Sequence, residues 1–152
     1  EGLARLLRNV PPKRLAVWTS PLVRADQTAR LAAAALGGGK SVEPLVVSAL
    51  APGGSMRGLL ERLSEAAGAA KDDEVAVVLV GHEPDLGQLA GELGLDPPSP
   101  LPLKKAGACA ILFEGPPRRR SGTLEWFLPP GLLRTLARRG KGKPARAASE
   151  DS

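Results

Sequence analysis

Cysteine, histidine and aromatic residues are scarce in this 152-residue sequence, which contains one cysteine (Cys109), one histidine (His82) and no tyrosine. A single cysteine cannot form an internal disulfide, and the apolar residues around Cys109 predict a small buried side chain rather than a reactive thiol. No apolar run approaches the length of a membrane span, and the opening EGLARLLRNVPP lacks the hydrophobic stretch of a secretion signal. We therefore expect a protein of the reducing cytoplasm without a membrane anchor.

The length and the charge distribution predict one domain followed by a basic tail. Apolar residues make up 43% of the sequence and charged residues 24%, as is typical of a soluble globular protein with a single core. The net charge of +5 is concentrated at the end, where six basic and two acidic residues follow from Arg134 onward. Because no aromatic residues are interleaved with these bases, a solvated terminus is favoured over a nucleic-acid-binding element. We predict a domain over residues 1–136 and a basic, flexible tail over residues 137–152.

The hydrophobic pattern of the first half predicts alternating helices and strands. A helix over residues 1–8 has leucines at helical spacing, opens without a cap and is ended by Pro11 and Pro12. The other elements expected here are a strand over residues 15–18, a helix over 22–36, a short edge strand within 42–47, and a helix over 55–70 capped by Ser55.

The strongest strand signal is VAVVLV, residues 75–80. An uninterrupted aliphatic strand between helices is typical of a parallel sheet covered on both faces, because neither face of such a strand meets water. A helix over residues 85–93 and an antiparallel pair of strands, 108–113 and 123–128, follow it. The sequence thus predicts a three-layer α/β/α fold with a mostly parallel sheet and an antiparallel C-terminal pair.

Two motifs directly follow predicted parallel strands, where open α/β sheets bind their ligands. TSPLVRADQT places Arg24 in the first turn of a helix. A cation there is unfavourable beside the helix dipole unless an anion lies between them, so Arg24 is a candidate phosphate ligand. GHEPD places His82 at a strand end, the position expected for a group that acts on an anionic substrate. Each motif alone also has an ordinary structural explanation, as a hydrogen-bonded histidine or a solvent-facing arginine.

Together and in this order, the two motifs resemble the histidine-phosphatase superfamily, whose members include the phosphoglycerate mutases. SPLVRADQT is similar to the superfamily's S-P-x-x-R-A-x-Q-T element, and VLVGHEPDLGQLAGEL resembles the V-G-H segment of its phosphohistidine-phosphatase branch. Further landmarks in the order of that branch are LAPGG, KKAG, LEW and LPP. The resemblance spans roughly residues 1–136 and implies a phosphoglycerate mutase-like fold.

The resemblance implies a phosphatase without metal or cofactor, in which a histidine attacks phosphorus and water then hydrolyses the phosphohistidine formed. A second histidine and two arginines surround the phosphoryl group and stabilise the charge on its oxygens. On this basis His82 is the second histidine and Arg24 the second arginine, both catalytic and substrate-binding, and Ser20 adds a hydrogen bond to the substrate. Glu83 is a possible acid, although the helix dipole also explains a carboxylate at a helix start. The implied substrate is a phosphorylated protein or a small phosphorylated molecule, and the short loops favour the protein.

The superfamily's nucleophile motif, Arg-His-Gly at the end of its first, central strand, is absent from the sequence. We therefore expect a domain that lacks that strand, is N-terminally incomplete and is inactive as given, through truncation, degeneration or completion by another chain. Truncation is favoured because Arg24 and His82 are retained. Unpaired backbone groups cost about 1–3 kcal/mol each when buried, so the isolated chain is expected to aggregate or to depend on a partner.

Two other functions stay open. One is a non-catalytic module that binds phosphate or a phosphoprotein through Arg24 and His82. The other is a basic-tailed interaction domain whose resemblance to the phosphatases is only architectural.

Overall fold

A computed structural model describes residues 2–3, 12–71 and 73–139 of the chain. Five strands lie in this part of the chain: β1 (Arg14–Thr19), β2 (Leu45–Val46), β3 (Val75–Val80), β4 (Ala108–Leu112) and β5 (Thr123–Leu128). Four helices accompany them there: α1 (Val23–Leu36), α2 (Met56–Ala69), α3 (Asp85–Gly94) and α4 (Pro130–Arg139). A 3-10 turn spans Ser48–Leu50. Of the helix predicted over residues 1–8, Gly2 and Leu3 are helical and the rest lies outside the described residues.

The parallel sheet has the strand order β2-β1-β3. All six residues of β1 pair in register with β3, from Arg14 opposite Val75 to Thr19 opposite Val80. Strand β2 pairs with β1 through two residues only, and Pro44 directly precedes it. Because proline lacks a backbone N–H, the predicted edge strand is confirmed as a short one.

Helices cover both faces of this sheet, which confirms the three-layer arrangement. Trp18 on one face packs into a cluster with Leu59 and Leu63 of α2, and Leu89 and Leu93 of α3 join the same cluster. On the other face Val17 packs with Ala29 and Ala33 of α1. The alternation of Val17 and Trp18 between the two clusters follows from the period of two in a strand.

Strand β3 and the antiparallel pair differ in placement from the sequence prediction. Among the described residues β3 pairs only with β1, and each of its six side chains is half-buried rather than fully enclosed. Strands β4 and β5 form the predicted antiparallel pair, but as a two-stranded sheet of their own. One edge of the most aliphatic strand is therefore without a strand partner in this part of the chain.

Helix α4 was not predicted, because its arginines gave it the composition of a basic tail. Pro130 begins this helix at the first helical position, where its missing N–H costs nothing. The helix runs to Arg139, so the domain boundary predicted at residue 136 falls inside it, and residues 140–152 lie outside the described residues. Within the described ranges, no helix is long and apolar enough to cross a bilayer.

Candidate active site

The ends of β1 and β3 bring Ser20 and His82 together. The strands are parallel and in register, and the Ser20 backbone N–H donates to the Val80 carbonyl across 2.9 Å. Both strands end at the same edge of the sheet, so Ser20 and His82, which follow them, are neighbours although they are 62 positions apart in sequence. The His82 Nε2 atom lies 2.8 Å from the Ser20 Oγ atom.

Ser20 is completely buried, whereas His82 is half-buried. The Ser20 hydroxyl also accepts a hydrogen bond from the backbone N–H of Leu22 at 3.2 Å. The neighbouring Thr19, equally buried, donates its Oγ1 hydrogen to the Ser20 carbonyl oxygen at 3.1 Å. The Ser20 side chain is thus held from two sides and has no open path to solvent.

Arg24 is the second residue of α1 and is exposed. Among the described residues, no hydrogen bond or ion pair joins the Arg24 guanidinium to Ser20 or His82. The structure therefore does not link Arg24 directly to these two residues. The N-cap residue, Leu22, offers no side-chain cap to this helix. Among the described residues, the backbone N–H groups of Val23 and Arg24 and the Arg24 guanidinium therefore have no partner, an arrangement close to Ser20 in sequence that suits an anion.

Glu83 and Asp85 both act as hydrogen-bond acceptors next to His82. The Glu83 Oε1 atom accepts from the backbone N–H of Gly87 at 2.9 Å, which ties it to the first turn of α3. The Asp85 Oδ2 atom accepts from the backbone N–H of Gly53 at 2.7 Å, across 32 positions of sequence. In the sequence, Asp85 stands only as the first residue of the helix predicted over residues 85–93, since nothing in the local pattern reveals a loop so distant in sequence.

The loop over residues 51–54 forms one wall of the site. It follows β2, whose neighbour Val47 donates its N–H to the Thr19 carbonyl at 2.8 Å. The Leu50 carbonyl oxygen then passes within 3.4 Å of the place where a side chain on Gly81 would begin. The loop therefore crosses the ends of β1 and β3 before Asp85 fixes it at Gly53.

Cys109, in strand β4, lies within electrostatic reach of this site. Burial raises the pKa of its thiol, and the nearby Glu83 carboxylate raises that pKa further. A raised pKa means less thiolate at neutral pH, and the thiolate is the nucleophilic form. Cys109 is half-buried rather than fully buried as the sequence predicts, but the raised pKa of its thiol favours the predicted unreactive side chain.

Glu83→Gln is therefore expected to make Cys109 more reactive. The substitution removes the negative charge that disfavours the thiolate, so the alkylation rate at pH 7 to 8 should rise, and the rate profile should shift to lower pH. Iodoacetamide labelling of the single cysteine followed by mass spectrometry measures this rate. Glu65→Gln, on an exposed face of α2, is the control and should leave the rate unchanged. Equal rates in Glu83→Gln and the unmodified chain would contradict the placement of Glu83 beside Cys109.

A groove of about 590 Å³ lies elsewhere, between α2 and the β4–β5 loop. Three arginines and two glutamates line it, namely Arg57, Arg118, Arg119, Glu61 and Glu65. Their charges nearly cancel, and neither Ser20 nor His82 belongs to it. Among the described residues, no three His, Cys, Asp or Glu side chains converge as a metal-binding group.

Comparison with known proteins finds similarity both in sequence and in structure. No family model matches the chain. An uncharacterized protein of Picosynechococcus sp. is 46% identical over 99 residues, which cover 62% of this chain and 54% of that protein. The chain thus spans about half the length of this curated relative.

One similar structure is that of the protein histidine phosphatase SixA complexed with tungstate. It superposes with a TM-score of 0.65 and 22% identity, over 86% of this chain and 78% of the SixA chain. This chain has the same phosphoglycerate mutase-like fold, an α/β protein with a mostly parallel sheet and an antiparallel pair, and the predicted fold class is confirmed.

Proposed function

We propose that this chain supplies the phosphate-holding part of a cytoplasmic histidine phosphatase that removes phosphate from phosphohistidine in proteins. The observation that carries the proposal is the 2.8 Å contact between His82 and Ser20, formed where two adjacent parallel strands end. The first turn of α1, which carries Arg24, begins at Val23, close to Ser20 in sequence. The fold it shares with SixA is consistent with this assignment.

In the proposed reaction, a histidine nitrogen attacks phosphorus as the bond from phosphorus to the substrate's imidazole breaks. The departing imidazole takes up a proton. Water then attacks phosphorus, the enzyme's phosphohistidine bond breaks, and phosphate and the free histidine are released. Arg24 and His82 stabilise the charge on the phosphoryl oxygens during both steps, as positioned donors do in phosphoryl transfer.

His82 stabilises charge in this reaction and is the single histidine in these 152 residues. The attacking histidine must therefore come from another segment. We place the strand that carries it along the outer edge of β3. All six β3 side chains are half-buried there, and Val77 and Leu79 pack on the same apolar cluster as Ile111 and Phe113 beside the separate β4–β5 sheet. A strand added parallel to β3 along this edge would end next to His82.

A protein substrate fits this site better than a small molecule. The wall over residues 51–54 is short, and Arg24 and the neighbouring Val23 are exposed, with 71% of Val23 accessible. An open rim of this kind leaves room for a polypeptide around the phosphorylated side chain. A small phosphorylated molecule would need more enclosure, since small-molecule sites bury most of the ligand surface.

The second candidate is a non-catalytic module that binds phosphate or a phosphoprotein. The presence of one histidine in the sequence favours it, because Arg24 and His82 can hold an anion without a nucleophile. Both candidates require phosphate to bind, and they differ only in turnover.

The test supplies the missing strand as a synthetic aliphatic peptide ending in Arg-His-Gly. We expect the chain to release phosphate from a phosphohistidine peptide only when this strand peptide is present, and a strand peptide ending in Arg-Gln-Gly to be inactive. Circular dichroism measures whether each strand peptide associates with the chain, and this separates binding from chemistry. Association without any release would favour the non-catalytic module, and equal release with and without the strand peptide would overturn the proposal.

A further inference from the structure

We infer that Ser20 is a positioning residue that fixes the proton of neutral His82 on Nδ1 and turns that nitrogen outward as a hydrogen-bond donor. The inference concerns the orientation and tautomer of a side chain, and its link to phosphate rests on the proposed function. It begins from the contact between Ser20 Oγ and His82 Nε2 at 2.8 Å.

The direction of this hydrogen bond follows from the number of partners that a hydroxyl can serve. The Ser20 oxygen already accepts from the Leu22 N–H at 3.2 Å, and its own hydrogen still needs an acceptor. If His82 donated from Nε2, the hydroxyl would accept twice and its hydrogen would meet no acceptor among the described residues. In a completely buried side chain such a loss is costly. Ser20 therefore donates to Nε2, and neutral His82 carries its hydrogen on Nδ1.

The second nitrogen of the ring faces outward. No described residue forms a hydrogen bond with Nδ1, and no buried side-chain nitrogen or oxygen in the described ranges lacks a partner. Within the described residues Nδ1 is therefore accessible, which agrees with the half-buried state of His82. The ring presents an N–H donor to the space beyond the strand ends, where a phosphoryl oxygen would lie in the proposed function.

Ser20 could instead be an attacking nucleophile with His82 as its base, since a short serine–histidine contact also has that geometry. Its burial argues against this role, because none of the Ser20 surface is accessible and an external phosphorus atom could not reach the hydroxyl. The hydroxyl acts on the substrate only through the ring.

The experiment is nitrogen-15 NMR of the imidazole, in which the single histidine gives one assignable pair of ring signals. At a pH where His82 is neutral, we expect the unmodified chain to show a protonated Nδ1 and an unprotonated Nε2. Ser20→Ala should shift the population toward the Nε2–H form that an unrestrained imidazole prefers. Thr19→Val is the matched control, because it removes a buried hydroxyl of the same segment that donates to the Ser20 carbonyl and not to the ring.

Phosphate binding separates the inference from the proposed function. Ser20→Ala should weaken the affinity for inorganic phosphate about tenfold, as expected when a donor is no longer aimed at the anion, while Thr19→Val keeps it. The inference would be overturned if the unmodified chain showed the Nε2–H tautomer, or if Ser20→Ala showed no change of tautomer from the unmodified chain. A tautomer that changes in Ser20→Ala would support the positioning role of Ser20. If the ring signals nevertheless did not move on addition of phosphate, that result would count against the proposed function.

Discussion

Arg24→Ala is expected to weaken the binding of inorganic phosphate by roughly ten- to a hundredfold. A hydrogen bond to a charged group contributes about 1.5–3 kcal/mol, and each 1.4 kcal/mol changes a dissociation constant about tenfold. The exposed guanidinium has no ion-pair partner among the described residues, so its removal should leave the fold intact. Equilibrium dialysis of labelled phosphate measures the change.

Arg57→Ala provides the control for this measurement. Arg57 is also an exposed helical arginine, but it lies on α2 and pairs with Glu61 at 3.1 Å, away from Ser20 and His82. It removes the same charge, so any general electrostatic effect would appear in both variants. Arg24→Lys should fall between the two, because lysine keeps the charge without the planar fork that matches phosphate. Equal affinities in Arg24→Ala and Arg57→Ala would contradict the assignment of Arg24.

Gly91→Ala is expected to lower the free energy of unfolding by about 1–3 kcal/mol, the usual cost of overpacking. Gly87 and Gly91 lie one turn apart on α3, and the loop over residues 99–101 crosses the helix at this point. Leu101 donates its N–H to the Gly87 carbonyl at 2.9 Å. A methyl group on Gly91 would overlap the Ser99 carbonyl, which belongs to the backbone of the loop and cannot simply turn away.

Gly68→Ala is the matched control and should change stability in the opposite direction. Gly68 also lies in a helix, in α2, but no atom stands within 4 Å of the place where its side chain would begin. Alanine there removes only the helix penalty of glycine, so a gain of about 0.5–1 kcal/mol is expected. Urea denaturation followed by circular dichroism compares the two. A Gly91→Ala variant as stable as the unmodified chain would contradict the contact between α3 and the 99–101 loop.

The sequence predicts the individual elements well where the local pattern is strong. The aliphatic runs before Thr19 and Gly81 form β1 and β3, and Ser55 caps α2 by accepting from the Gly58 N–H at 3.1 Å. The two motifs also fall at the strand ends, as the parallel order predicts. Helix α4 was missed because its signal, Pro130 at the first position, competes with the charge pattern of a tail.

Contacts between distant segments could not be predicted in the same way. The hydrogen bond between Ser20 and His82 depends on the register of β1 against β3, and the one between Gly53 and Asp85 depends on the path of a loop. Neither register nor loop path is encoded in a local pattern. The placement of the aliphatic β3 at an edge also depends on which strands are near it, which composition alone cannot reveal.

The central claim is that Arg24 and His82, with His82 positioned by Ser20, form one phosphate site, and titration of the chain with inorganic phosphate tests it most directly. The ring signals of the single histidine are followed by NMR at constant pH and ionic strength. We expect these signals to move and saturate in the unmodified chain and in Arg57→Ala, and to stay nearly still in Arg24→Ala over the same concentrations. Ring signals that ignore phosphate in the unmodified chain, or that move equally in Arg24→Ala, would contradict the account.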